Sequence, residues 1–250
     1  MIIEKKIRDY QQKCHREYKS KIKLLPEKYT FPDGNHIVPL PPIRTDVRGL
    51  MIVGAYPSAR FEYRLSSTLP RRYRLIPIAN NLQPFGPEQY FDGLRVRDLE
   101  SAEGLQKYLL SKLNAQPGRY WITDLVKVFL YKRDHKLSCQ AVHPGFKVPV
   151  LRHRYYDIGE QSLKYLRKEC ELCRPKLVVT LGEEVAQVVL GRKGASADEL
   201  LVPQVARPEN IGGCPTLCLP HPDACRRSDK WRKAMQKGIA VINSIPVESA

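Results

Sequence analysis

The sequence has no apolar run approaching the roughly 20 residues that a membrane-spanning helix needs. Its opening, Met1-Ile-Ile-Glu-Lys-Lys, also lacks the apolar core of a secretory signal, so a soluble, cytoplasmic protein is expected. Acidic residues are scarce: 26 Asp and Glu stand against 42 Lys and Arg, for a formal net charge of +16. That excess is more than solubility requires and points to a polyanionic partner, nucleic acid before a membrane surface. Regular cysteine spacing is missing as well. Seven cysteines, an odd number scattered over 250 residues, argue against a disulfide scaffold and leave reduced thiols as the expectation. There is no internal repeat and no low-complexity segment. With 42% hydrophobic residues, a chain of this length can bury a sizeable core. One domain over residues 1–250 is expected, as a monomer, with an N-terminal helix and proline-rich lead-in over 1–45 and an α/β core over 46–245.

What is present organises around two short apolar runs. Leu50-Met-Ile-Val-Gly-Ala-Tyr-Pro57 stops at glycine and leaves through proline, and Thr216-Leu-Cys-Leu-Pro-His-Pro-Asp223 ends on His-Pro. Continuous apolar stretches bounded by turn residues predict strands of a buried parallel sheet, and such sheets place their chemistry at the strands' carboxyl ends. Further strands are predicted at Trp121–Lys127 and Lys176–Gly182. Helices are predicted at the N-terminus, where Ile3, Ile7, Tyr10, Cys14, Tyr18 and Ile22 recur at helical spacing, and near Leu99–Leu113, Tyr155–Cys173 and Glu183–Leu190. A last amphipathic helix carries Trp231, Ala234, Met235 and Ile242 on one side. Ser58 to about Tyr90 reads as an irregular basic and aromatic stretch, and the segment up to Pro149 as a long polar loop. Alternating strands and helices predict a three-layer α/β/α fold around a central four-stranded, mainly parallel sheet.

Four ordered segments resemble the uracil-DNA glycosylase superfamily, and within it the family-4-like, iron–sulfur-containing bacterial and archaeal branch. Gly54-Ala-Tyr-Pro-Ser58 is similar to that branch's Gly-x-x-Pro-Gly turn, and Ile122-Thr-Asp-Leu-Val-Lys127 to its Ile-Thr-Asn-x-x-Lys segment. Arg174-Pro-Lys-Leu-Val-Val-Thr-Leu-Gly182 matches its Arg-Pro-Lys strand, and His221-Pro-Asp-Ala-Cys-Arg-Arg227 its His-Pro-Ala-x-Leu-(x)-Arg segment. The resemblance spans about residues 50 to 242. It implies a monofunctional DNA glycosylase that flips a nucleotide into a pocket and hydrolyses the base–sugar bond. It further implies that His221 supports charge on the leaving base, that Gly54, Ala55 and Tyr56 line the pocket, and that Cys225 and Arg226 stand at the wedge position, with Arg227 and Lys127 on DNA. Phe85 is the candidate for stacking on the base. The residue-level alternatives are a structural histidine, aromatic core packing and a phosphate-touching surface loop.

Three departures from the family pattern carry more information than the matches. Asp124 replaces the asparagine that reads the base edge. An amide pairs with uracil through N3–H and O4, whereas a carboxylate offers acceptors only, which suits the N4 amino group of cytosine. Ser58 stands where the uracil enzymes carry a tyrosine that blocks carbon 5, so a bulky 5-substituent has room. A 5-modified cytosine is the expected substrate, such as the hydroxymethylated or glucosylated cytosine of some phage genomes, with plain uracil repair or a non-catalytic nucleic-acid-binding role as alternatives. Asp124 could instead cap a turn. Finally, the first motif has no water-positioning acid or amide, which leaves Asp223 or Glu62 as candidates.

The branch's cluster requires four converging thiolates, and here its cysteine pattern is broken: Val128 follows the strand lysine, and Gly159 or Glu160 stands near another ligand position. No cofactor is expected. Cys14, Cys139, Cys170 and Cys173 are the remaining metal alternative, although Tyr155, Leu163, Leu166, Cys170 and Cys173 also trace one apolar helix face. Basic clusters that include Arg71, Arg72, Arg74, the Arg152-His-Arg154 run and the stretch from Arg226 to Lys233 interleave with aromatics, as on a surface that follows phosphates.

Overall fold

The computed structural model describes residues 2–86, 88–113, 119–147 and 149–245. Four strands form the central sheet: β1 (Leu50–Gly54), β6 (Tyr120–Asp124), β7 (Leu177–Leu181) and β8 (Thr216–Leu219), in the order β6-β1-β7-β8 and all parallel. Their residues are almost all buried and mostly apolar because both faces of the sheet are covered. Met51, Val53, Trp121 and Val178 face one apolar cluster, while Ile52, Ile122, Val179 and Leu217 face another. Helices α1 (Ile2–Lys21), α4 (Tyr155–Cys173) and α5 (Glu183–Leu190) feed the first cluster. Helices α2 (Glu100–Tyr108) and α8 (Asp229–Asn243) feed the second. The result is the three-layer α/β/α arrangement expected. Among the described residues no helix is long and apolar enough to cross a membrane.

The N-terminal segment is built into this core. Ile7, Tyr10, Cys14 and Tyr18 recur at helical spacing and are buried, and Tyr18 Oη lies 2.6 Å from Ser162 Oγ on α4. The lead-in then follows the sheet edge, where Ile43 bridges Ile122 in antiparallel fashion.

Two stretches expected to be irregular are ordered. Residues after Ser58 form a hairpin of β2 (Ala59–Leu65) and β3 (Tyr73–Asn80), followed by β4 (Gln89–Phe91) paired with β5 (Val96–Asp98). Phe61, Tyr63 and Leu65 alternate with Arg60, Glu62 and Arg64, so a period of two underlies the charge that made the stretch read as loop. The polar segment contains α3 (Arg133–Val142), which buries only Cys139 and therefore carries no apolar periodicity. Two short helices complete the fold, α6 (Ala197–Leu200) and α7 (Pro222–Arg227). The chain leaves β1 for β6 on one side and then crosses to β7 and β8 on the other. Strand order thus reverses about β1, which opens a crevice at the carboxyl ends of the strands.

Candidate active site

The parallel register aligns Gly54, the last residue of β1, with Asp124, the last of β6. Gly54 is glycine for a spatial reason: a Cβ there would overlap both Asp124 Oδ1 and the Phe85 ring. The carboxyl and the aromatic ring therefore meet over a bare backbone. Phe85 itself sits at φ +49°, a left-handed conformation that costs about 1–2 kcal/mol for a residue with a Cβ. Its loop is braced by Glu88, whose carboxylate accepts the backbone N–H groups of Leu82 (2.6 Å) and Gln83 (3.1 Å) and pairs with Arg60 at 2.8 Å. Held strain of this kind is characteristic of ligand-contacting positions.

At the end of β8, His221 caps α7, with Pro222 as the first helical residue. His221 Nδ1 accepts the backbone N–H of Asp223 at 3.2 Å. Burial lowers the proton affinity of the ring, so at neutral pH it is uncharged and carries its hydrogen on Nε2. Ala55, Tyr56, Ser58, Phe85, Asp124, His221 and Asp223 all line one cavity of about 640 Å³.

Five carboxylates reach this cavity. Asp98 accepts from Gln89 (2.8 Å), Glu100 pairs with Arg226 (3.2 Å), Glu184 pairs with Arg152, and Asp223 pairs with Arg226 (2.8 Å) and Arg227. Asp124 differs from the other four: it is 2% exposed, and its carboxyl oxygens accept no hydrogen bond among the described residues. Burial pushes its pKa up to about 7, against the opposing pull of Lys127. A buried polar group without a partner is costly, and such groups concentrate where a ligand supplies the missing bond.

Other expected site residues lie outside the cavity or are already paired. The Glu62 carboxylate pairs with Arg64 at 2.8 Å and does not line the cavity, and Asp223, which does, is held by two arginines. Cys225 is fully buried and cannot stand in a DNA gap; the short helix α7 turns it inward, toward the Trp231 carbonyl at 3.6 Å. Lys127 is also fully buried, paired with Glu169 at 2.6 Å, and cannot reach a phosphate. Arg71 and Arg72 are exposed at the β2–β3 turn, and Arg226 and Arg227 on α7. Arg152 faces inward: its Nε donates to Tyr56 Oη (2.9 Å), and its guanidinium lies 5.1 and 5.3 Å from the ring centres of Tyr56 and Tyr155.

Sequence reasoning passed over Glu184 and Arg152 as site residues. Glu184 follows the Gly182 turn at the carboxyl end of β7, so the strand-end rule that found His221 could have found it too. The four cysteines are spread over three helices, Cys14 on α1, Cys139 on α3, and Cys170 and Cys173 on α4. Burial raises the thiols of Cys14, Cys139 and Cys173 to about 12, and among the described residues no three or more His, Cys, Asp or Glu side chains are grouped to hold a metal ion. They do not fit a four-thiolate cluster.

A family described as the Uracil DNA glycosylase superfamily matches residues 44–240, which includes all four sheet strands and the cavity between them. The chain belongs to the uracil DNA glycosylase superfamily. No curated protein matches it. Uracil DNA glycosylase superfamily members are hydrolases that act on DNA, and the positive charge of this chain agrees with such a partner.

Proposed function

We propose that the protein is a DNA glycosylase that excises a cytosine bearing a bulky substituent on carbon 5. The observation that carries this reading is Asp124: a buried carboxyl, without a hydrogen-bond partner among the described residues, packed beside the Phe85 ring on Gly54 and sharing a cavity with His221. A flipped base stacks on Phe85 and presents its Watson–Crick edge to Asp124. In its ionised form Asp124 accepts the N4–H of cytosine and repels the O4 of uracil. In its neutral form it offers both a donor and an acceptor, and the pairing becomes permissive. The exposed Ser58, at the cavity's edge, leaves carbon 5 unobstructed.

In the reaction, the bond between base nitrogen and sugar C1′ breaks with its electron pair going to the base. His221 Nε2–H donates to the base carbonyl as charge develops; a water then adds to C1′ and gives up a proton, taken by a cavity carboxylate and passed to the departed base, which leaves an abasic sugar and a neutral base. Asp223 and Glu184, each already paired with arginine, are the carboxylates within the cavity that can orient this water. The reading is tested with duplexes that carry uracil, cytosine, 5-hydroxymethylcytosine or glucosylated 5-hydroxymethylcytosine at one position, followed by alkaline cleavage of abasic sites. Strand cleavage at the 5-modified cytosines is expected; cleavage at uracil alone would overturn the proposal.

A further inference from the structure

The cavity has a further wall, lined by aromatic rings, that base recognition does not use. Phe61 on β2 lies 6.3 Å from Phe129 and 5.4 Å from His135 between ring centres, and His135 stacks on Phe129 at 5.4 Å with planes 21° apart. All three rings and Lys132 line the same cavity as Asp124 and His221. At about 640 Å³, that cavity is in the range of sites for drug-sized ligands (about 300–1,000 Å³), far more than a pyrimidine occupies.

His135 repeats the arrangement of His221. Each histidine sits at the start of a helix, and each accepts a backbone N–H at Nδ1, from Lys132 at 3.3 Å and from Asp223 at 3.2 Å. Burial lowers the proton affinity of both rings, that of His135 to about 4. Both are therefore neutral with the hydrogen on Nε2, and His135 Nε2 has no hydrogen-bond partner among the described residues. The proposed reaction uses one such donor. The second stands on an aromatic wall with no acceptor for its hydrogen among the described residues.

Building on the 5-modified-cytosine reading, we infer that Phe61, Phe129, His135 and Lys132 form a subsite for an uncharged, hydroxyl-bearing substituent on carbon 5, of hexose size. The aromatic faces cover the C–H surface of the sugar ring, His135 Nε2–H donates to one hydroxyl, and the exposed Lys132 ammonium closes the mouth. An anionic substituent would exchange water for three uncharged rings and a single exposed cation, an unfavourable transfer.

The test uses the full chain and two duplexes that differ only in carrying 5-hydroxymethylcytosine or its glucosylated form. His135→Ala should lower the ratio of kcat/KM for the glucosylated over the hydroxymethylated duplex about tenfold, the value of one hydrogen bond. His135→Gln, which keeps an N–H donor, should restore most of that ratio, and Lys132→Ala should lower it less. A ratio unchanged in His135→Ala would overturn the subsite. If His135→Ala fails to fold, the ratio in Lys132→Ala decides. If the wild-type chain cleaves neither duplex, the excision reading fails and the subsite rests on equilibrium binding: tighter binding of the glucosylated duplex, lost in the variants, supports it, and equal binding of both overturns it.

Discussion

Glu169 and Asp124 are both buried carboxyl groups, one sealed in the core and the other at the wall of the cavity, and the protein treats them in opposite ways. Glu169 accepts from Tyr10 Oη (2.7 Å) and Trp121 Nε1 (3.0 Å) and pairs with Lys127 Nζ (2.6 Å), which joins α1, β6 and α4. The Asp124 carboxyl, only three residues before Lys127 in the chain, accepts nothing among the described residues. The Lys127 ammonium does donate to residue 124, but to its backbone carbonyl, at 2.6 Å. One acid is committed to the fold and the other is left for a ligand. The satisfied carboxylate holds the N-terminal helix on the sheet, while the unsatisfied one waits at the carboxyl end of the strand, where parallel sheets expose their chemistry.

That contrast breaks most directly at Glu169. Glu169→Ala leaves Lys127 buried without its ion-pair partner and should destabilise the fold by about 3–5 kcal/mol, lowering Tm by roughly 10 °C in a thermal melt, with excision retained below the new transition. His221→Ala removes the donor to the leaving base, so single-turnover excision should slow by about 10²–10³ while DNA affinity holds. An unchanged rate would take His221 out of the site.

Asp124→Asn tests the other side of the comparison. It should shift excision from cytosine-type bases toward uracil by about 1–3 kcal/mol of discrimination, and should leave stability unchanged or raised, because a buried charge is lost. The wild-type chain should show a related pH effect. The pKa of Asp124 is raised in the fold to about 7 from an ordinary 3.8, so between these values the folded state binds more protons than the unfolded state. The contribution of Asp124 to stability therefore falls as pH rises from about 4 to about 7, and Asp124→Asn should abolish that slope in denaturant titrations. Selectivity for cytosine-type bases over uracil should rise as pH passes about 7, when the acid loses its donor. The smallest effect is expected at the hairpin tip, where Arg71→Ala should weaken DNA binding equally for all target bases and reduce the salt slope by about one.

Much of this was legible from local pattern. Apolar runs that stop at glycine or proline mark the strand ends at His221 and the Ala55–Tyr56 turn, whereas Asp124 is marked by the family resemblance, inside a strand expected to run on to Lys127. Phe85 is marked by the need for an aromatic face to stack on the base. The β2–β3 hairpin was obscured because alternating arginines and glutamate outweighed its period of two, and α3 because a helix with one buried residue has no apolar stripe. Cys225 and Lys127 illustrate a different limit. Both matched the family's DNA-facing positions in register, but register along the chain does not say which way a short helix or a strand end turns a side chain.

The sequence by itself determined the parallel α/β sheet, the family and the two strand ends that meet in the site, because continuous apolar runs and turn residues are local and their spacing survives in one dimension. Only the tertiary structure decided which acid is satisfied. Tyr10 and Glu169 are 159 positions apart, and Arg152 and Tyr56 are 96 apart. Whether a buried carboxyl finds its donors depends on which distant segments fold against it, and that is why Glu169 became part of the frame and Asp124 part of the pocket.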